Sequence, residues 1–401
     1  MLAFMRDDSQ DPFDFDTPID RRGTHAEKWD SMQARYGVDP ADGLPMWVAD
    51  MDFRPPPEVN EALAAAVAHG VHGYFGDDAD YLAAITGWMD RRHGWQVAPE
   101  AIATVHGVVA GLAICLRAFS EPGEGVIVFS PVYHAFHRII RANDRRLVES
   151  PLGIRDGRFE MDLDGLAASL DGSERILLLC SPHNPGGRLW SGDELRALAE
   201  FARAHDLILI ADEIHHDIVL PGRRHTPMPL AAPESLDRLV MLTAPTKVFN
   251  IAGALTGNVI IPDPGLRRRF AAVHRATGTS VNRFGMIAAT AAYAHGDAWA
   301  DALCAYLDGN AAVFAEGVTA IPGVQMMPLD ATYLVWVDFR GTGMDQAEIT
   351  ARVQDGARIA PSHGPTFGVG GEGFLRFNIG MPRARVAEAA RRLRAAFDDL
   401  Q

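Results

Sequence analysis

Three polar clusters in this sequence hold side chains able to do acid–base or covalent work: SPHNPGG with Asn184, DEIHHD with Asp212 and His215, and TAPTK with Lys247. Each directly follows a short apolar run, ILLLC, LILIA or LVML. Unbroken apolar runs too short for a helix suit strands buried on both faces. Ligands of open α/β sheets bind outside the carboxyl ends of such strands. An amide, a carboxylate and an amine therefore converge on one rim from three strands. Each alone has a plain reading, as an Asn-Pro turn, a helix-capping Asp or a surface Lys. The three together are harder to explain that way. Lys247 is one of very few lysines in a chain whose basic residues are mostly arginine. Straight after a buried strand it is badly placed to be solvated, and a lysine whose surroundings depress its pKa offers a free amine as nucleophile or base.

Such groups need a scaffold. The apolar runs GVIVFS from Gly125, ILLLC, LILIAD, LVMLTAP and NVIIP from Asn258 alternate with amphipathic stretches. Strand, helix, strand in repeated succession predicts an α/β fold with a large, doubly wound, mainly parallel sheet. Within SGDELRALAEFARAHD, Ser191 is the expected N-cap and Glu194 completes a capping box. PPPEVNEALAAAVAHG, from Pro55 to Gly70, predicts a helix with prolines at its start and glycine at its exit. After about Phe284 the texture changes to a long Ala-rich helical region, two strand candidates (TYLVWVDF and GFLRFNIG) and a final basic helix, RARVAEAARRLRAAF. The expected organisation is an amino-terminal arm over 1–50 packing with a smaller α+β domain over 286–401, and a large domain over 51–285. No internal repeat interrupts it.

Bulk properties narrow the function class. A formal net charge of -15 disfavours sequence-independent binding to nucleic acid or to anionic lipid. Cys115, Cys180 and Cys304 form no C-x-x-C pair, which argues against a disulfide framework or zinc knuckle and for a reducing compartment. MLAFMRDDSQ turns acidic too soon for a signal-peptide core, and no apolar stretch approaches the roughly 18 residues a membrane span needs. The expectation is a cytoplasmic enzyme without membrane contact. GVGGEG at 368–373 matches G-x-G-x-x-G, but it precedes a strand and so reads as a loop. DEIHHD offers Glu213, His215, His216 and Asp217 as metal ligands. Adjacent histidines project differently from a strand end, and the sequence displays no second ligand cluster, so no metal is expected.

SPHNPGG, ADEIHHD and TAPTKVFNIAG resemble the signatures of fold-type I pyridoxal-phosphate enzymes, the aspartate-aminotransferase superfamily. More narrowly, MWVADMDF, HGYFG, SPVYHAF, PHNPGGRLW, ADEIH, KVFNIAG and DATYLVWVDFR resemble the cystathionine β-lyase (MalY/PatB) branch, in order, from about Phe13 to Phe397. The resemblance implies pyridoxal 5′-phosphate held as a Schiff base on Lys247, which also shuttles protons. It implies Asp212 paired with the pyridine nitrogen, since a nearby anion favours the charged form, and the protonated ring is the electron sink. Asn184 would donate to the phenolic oxygen and border the substrate, and Tyr133 would stack on the ring. His215 stands where aminotransferases of the superfamily commonly carry a tyrosine.

Gly107, Val108 and Val109 would present backbone amides to the phosphate at a helix start, with hydroxyls from Thr246 and Thr243. Many relatives place an arginine a few residues after the lysine; here Gly253-Ala254-Leu255 stands instead, and the β-lyase branch likewise lacks that arginine. Tyr74 would reach across the interface of a homodimer with shared sites. Arg376 would clamp the substrate α-carboxylate bidentately. The implied reaction is α,β-elimination of cystathionine or another L-cysteine S-conjugate to thiol, pyruvate and ammonia. The alternatives are an aminotransferase on the same scaffold and a non-catalytic cofactor-binding module. Val248 departs from the expected Thr, Ser or Ala and is expected to reshape the site near the phosphate.

Overall fold

The computed structural model describes residues 13–400; residues 1–12 of the arm, including MLAFMRDDSQ, lie outside the described residues. Fourteen strands form three sheets. They are β1 (Leu44–Met46), β2 (Ile102–Val105), β3 (Gly125–Ser130), β4 (Arg146–Pro151), β5 (Gly153–Arg155), β6 (Arg158–Glu160) and β7 (Glu174–Cys180). β8 (Ile208–Asp212), β9 (Leu239–Thr243), β10 (Gly257–Ile260), β11 (Gln325–Met326), β12 (Leu334–Asp338), β13 (Ile359–His363) and β14 (Phe374–Asn378) complete the set.

The large sheet has the order β2-β10-β9-β8-β7-β3-β4. Every apolar run singled out in the sequence is one of its strands. β4, β3, β7, β8 and β9 are parallel neighbours. β10 runs antiparallel to both β9 and β2. An apolar run reports burial on both faces, not direction, so β10 was indistinguishable from its parallel neighbours. Alternate side chains show that double burial. Ile127, Phe129, Leu177, Leu179 and Leu209 join one core, while Val126, Val128, Ile176, Leu178 and Ile210 join another. Register then sets the rim: Cys180 lies opposite Asp212, and Asp212 opposite Leu242.

Helices close both faces. Gly192–Ala204 starts with the expected capping box between Ser191 and Glu194. Pro57–His69 has proline in its first turn and ends at Gly70, φ 78°. The Ala-rich region divides at Gly296 into helices Arg283–His295 and Asp297–Thr319. A Cβ at Gly296 would fall 2.2 Å from Phe249 Cε1, so close packing dictates glycine there. Arg283–His295 lies against helices Pro57–His69 and Ala79–His93, whereas Asp297–Thr319 pairs with the final helix, Arg383–Ala396.

The second sheet has the order β1-β13-β14-β12-β11. It takes β1 from the arm, parallel to β13. The arm is tied down further by Lys28, fully buried, whose Nζ lies 3.0 Å from Asp52 Oδ2. Trp29 Nε1 donates to the same carboxylate at 3.1 Å. GVGGEG forms the turn into β14 rather than a helix start.

Candidate functional site

Lys247, Asp212, Asn184 and Tyr133 all emerge at the carboxyl ends of strands in the large sheet, and all four border one cavity of about 200 Å³. Helix Val108–Phe119 closes its far end. Gly107 precedes that helix with φ 89° and ψ 156°, a conformation open to glycine alone. The first intrahelical bond is Gly111 N–H to Gly107 C=O, 3.1 Å, so the amides of Val108, Val109 and Ala110 lack helical partners. Thr246 lines the same cavity, as does His215.

The charges are shaped by burial. Desolvation pushes Asp212 up to about 7, against a hydrogen bond from Ile214 N–H and the nearby Lys247. Burial lowers Lys247 to about 8; Asp50 and Asp212 oppose that fall, and Arg376 adds to it. Its Nζ donates to Ala49 C=O at 2.7 Å. His215 is held neutral, well below its usual pKa, by burial and by Lys247 and Arg376, and its Nδ1 has no hydrogen-bond partner among the described residues.

A second chamber of about 480 Å³ meets the first at Ala49, Tyr133 and Lys247. Arg376 lies in its wall, on β14, an interior strand of the small sheet. Its side chain is 2% exposed. It donates to Asn184 Oδ1 at 2.9 Å, Trp47 C=O at 2.7 Å and Ser362 Oγ at 3.0 Å, while Nε has no partner among the described residues. Burial lowers its pKa to about 10, which leaves it cationic at neutral pH. Arg376 and Asn184 therefore join the two sheets across the chamber.

These features fit pyridoxal 5′-phosphate. The cavity offers free amides at a helix start for the phosphate, a largely desolvated lysine for the aldehyde, and a carboxylate that a protonated ring nitrogen would complement. Gly107, Val108 and Val109 stand at the start of that helix and line the cavity.

Other expectations need correction. Thr243 does not line the cavity; it is fully buried, with Oγ1 3.1 Å from His216 Nε2. It ends β9 four residues before Lys247, and its side chain faces the other way. Val248 is fully buried in the main apolar core and does not border the site, so it does not reshape the phosphate end. His183 is 1% exposed and packs between Phe159 and Trp190. His134 lines the larger chamber. Tyr74 is apart from all of these, 97% exposed.

The sequence reading gave no role to the stretch from Trp47 to Asp50, whose carbonyls hold Lys247, Arg376 and Asn378. MWVADMDF carried the resemblance alone, because a backbone acceptor leaves no mark on residue type. Ser362 acts through its side chain, its Oγ accepting from Arg376, but a lone serine carries no spacing signal that would mark it.

The chain matches the family "Aminotransferase class I and II" over residues 42–393. It is 40% identical over 387 residues to cystathionine β-lyase PatB of Bacillus subtilis, covering 95% of this chain and 99% of the relative. It is 34% identical to protein MalY of Escherichia coli, covering 93% and 96%. Cystalysin of Treponema denticola, a structure containing pyridoxal 5′-phosphate, superposes with a TM-score of 0.92 at 35% identity, covering 97% of this chain and 100% of that one. A match across nearly the whole chain and relatives aligned end to end leave one assignment: the chain belongs to the class I and II aminotransferase family, on its cystathionine β-lyase branch.

Proposed function

We propose that this protein is a pyridoxal-phosphate-dependent carbon–sulfur β-lyase that cleaves cystathionine or another L-cysteine S-conjugate to thiol, pyruvate and ammonia. One observation carries the reading: Lys247 stands at the junction of the cofactor-sized cavity and the chamber walled by Arg376. The bound cofactor supplies an electron sink for the pair left at Cα. Asp212 keeps the ring nitrogen protonated. Arg376, fixed by Asn184 and Ser362, holds the α-carboxylate and so orients the Cα–H bond. Lys247 Nζ, with its lowered pKa, removes the Cα proton, and the Cβ–S bond breaks as thiolate leaves. Tyr133 would pack on the ring, His215 would stay uncharged beside it, and the amides of Val108 and Val109, with the Thr246 hydroxyl, would hold the phosphate. The named lyase relative favours elimination over transamination.

The working unit is a homodimer whose sites are shared. Tyr74 supports this: it stands exposed beside Val71, also exposed, with its carbonyl 3.4 Å from Arg283. The small sheet, carrying Arg376, closes over bound substrate as part of a domain over 286–401 joined by the arm, against the large domain over 51–285. A cytoplasmic setting accords with three free, buried cysteines.

The test is to incubate holoenzyme with L-cystathionine without any keto acid and follow pyruvate and free thiol. Sustained release of both, abolished in Lys247→Ala, is expected. A single turnover that stalls until a keto acid is added would make the protein an aminotransferase. Retained cofactor absorbance with no turnover on any S-conjugate would make it a non-catalytic module.

A further inference from the structure

DEIHHD has a second half that the reaction leaves unused. Asp212 and His215 face the cofactor cavity, but His216 and Asp217 turn away toward a separate cavity of about 440 Å³. That cavity shares no lining residue with the two chambers at Lys247. Helix Ala79–His93 delivers His93 to it, and the loop after β8 brings back His225. No second ligand cluster is legible in the sequence because His93 lies more than a hundred residues from DEIHHD. Folding supplies one.

The ligand atoms of His93, His216 and Asp217 all lie within 4.8 Å of one another. His93 Nε2 is 2.6 Å from Asp217 Oδ1, and His216 Nε2 is 3.2 Å from Asp217 Oδ2. A tetrahedral ion with bonds of about 2.0–2.1 Å spaces its ligand atoms roughly 3.3 Å apart. Among the described residues, two buried polar atoms here make no hydrogen bond of ordinary geometry, Asp217 Oδ2, which has only the ion-pair approach of His216, and His216 Nδ1. Both residues are almost wholly buried.

Behind His216, Glu213 Oε2 lies 3.8 Å from that unpartnered Nδ1. Glu213 is itself fixed by His225 Nε2 at 2.7 Å and Met228 N–H at 2.8 Å. A carboxylate behind the second nitrogen of a histidine is the arrangement that orients metal-bound imidazoles. We propose that His93, His216 and Asp217 bind one divalent cation of the zinc class, with Glu213 orienting His216 and a further position open to the cavity. The ligands come from helix Ala79–His93 and from the turn after β8, so the cation clips that turn, which begins at Asp212, to the helical layer.

The experiment uses tag-free holoenzyme, stripped with a chelator and titrated with Zn²⁺ alone by calorimetry, with cofactor absorbance recorded for every sample. One ion per chain and a higher melting temperature are expected. His93→Gln and His216→Ala are expected to weaken binding more than about tenfold, while Lys247→Ala, remote from this cavity, keeps it. Bound Co²⁺ is expected to give tetrahedral ligand-field bands that His93→Gln removes. If His216→Ala fails to retain cofactor, His93→Gln at the cavity edge decides. No stoichiometric zinc on the wild-type protein, or binding unchanged in His93→Gln, overturns the proposal and leaves a hydrogen-bonded ion network.

Discussion

The chain holds two lysines: Lys28 is fully buried, and Lys247 is half-buried at the junction of the two chambers. What separates them is the company each keeps. Lys28 is neutralised by Asp52 at 3.0 Å and joins the arm to the body. Among the described residues Lys247 has only a carbonyl within hydrogen-bond reach, with its carboxylates farther off, so desolvation wins and its pKa falls to about 8. The sign follows directly. Below about 8 the amine is protonated and cannot attack an aldehyde; above it the free amine dominates. Recombination of apoenzyme with pyridoxal 5′-phosphate, followed by visible absorbance, is therefore expected to speed up with rising pH and level off above about 8, not near 10.5. A rate still climbing steeply at pH 10 would show an ordinary lysine. Asp212 is the complementary case: buried without its own cation, it stands at about 7 and gains most from a protonated ring nitrogen.

Among elements, the start of helix Val108–Phe119 is the most exacting. Gly107 has open space where a Cβ would go, so sterics with neighbours do not select glycine there; φ 89° does. Gly107→Ala is expected to cost about 1–3 kcal/mol in urea unfolding, and to weaken phosphate retention because the free amides of Val108 and Val109 would shift. The capping box offers a calibration away from the site. Ser191→Ala removes the acceptor of Glu194 N–H and is expected to cost about 1 kcal/mol, with cofactor content unchanged. Equal losses of cofactor in both variants would point to general destabilisation instead.

For the molecule as a whole, the site exists only where two sheets meet. Lys247 hangs from the large sheet, Arg376 from the small one, and the stretch from Trp47 to Ala49 lies between them and accepts from both. Asn250, itself in a left-handed conformation at φ 53°, pins the following residues through Met51 N–H and the Met51 and Phe53 carbonyls. If Tyr74 completes a partner's site, mixing Tyr74→Ala with Lys247→Ala protein is expected to restore activity that neither has alone. With random exchange, half the dimers are hybrids with one intact site, so about a quarter of wild-type turnover returns. No recovery after exchange, verified by mass, would confine each site to one chain.

Local patterns in the sequence determined much of this protein. Apolar runs are legible as buried strands because burial on both faces requires them. Polar residues straight after such runs are legible as rim groups, which is how Asn184, Asp212 and Lys247 stood out. Ser191 with Glu194 declared a helix start by spacing alone. Other features had no local signature. The antiparallel β10, the carbonyl of Ala49 beneath Lys247, and the inward turn of Thr243 and Val248 follow from register and packing between distant segments. So does the meeting of His93 with His216 and Asp217. Residue type records what a side chain can do and, through periodicity, how deeply it lies. Which remote partner it meets is decided only when the sheets and helices close around one core.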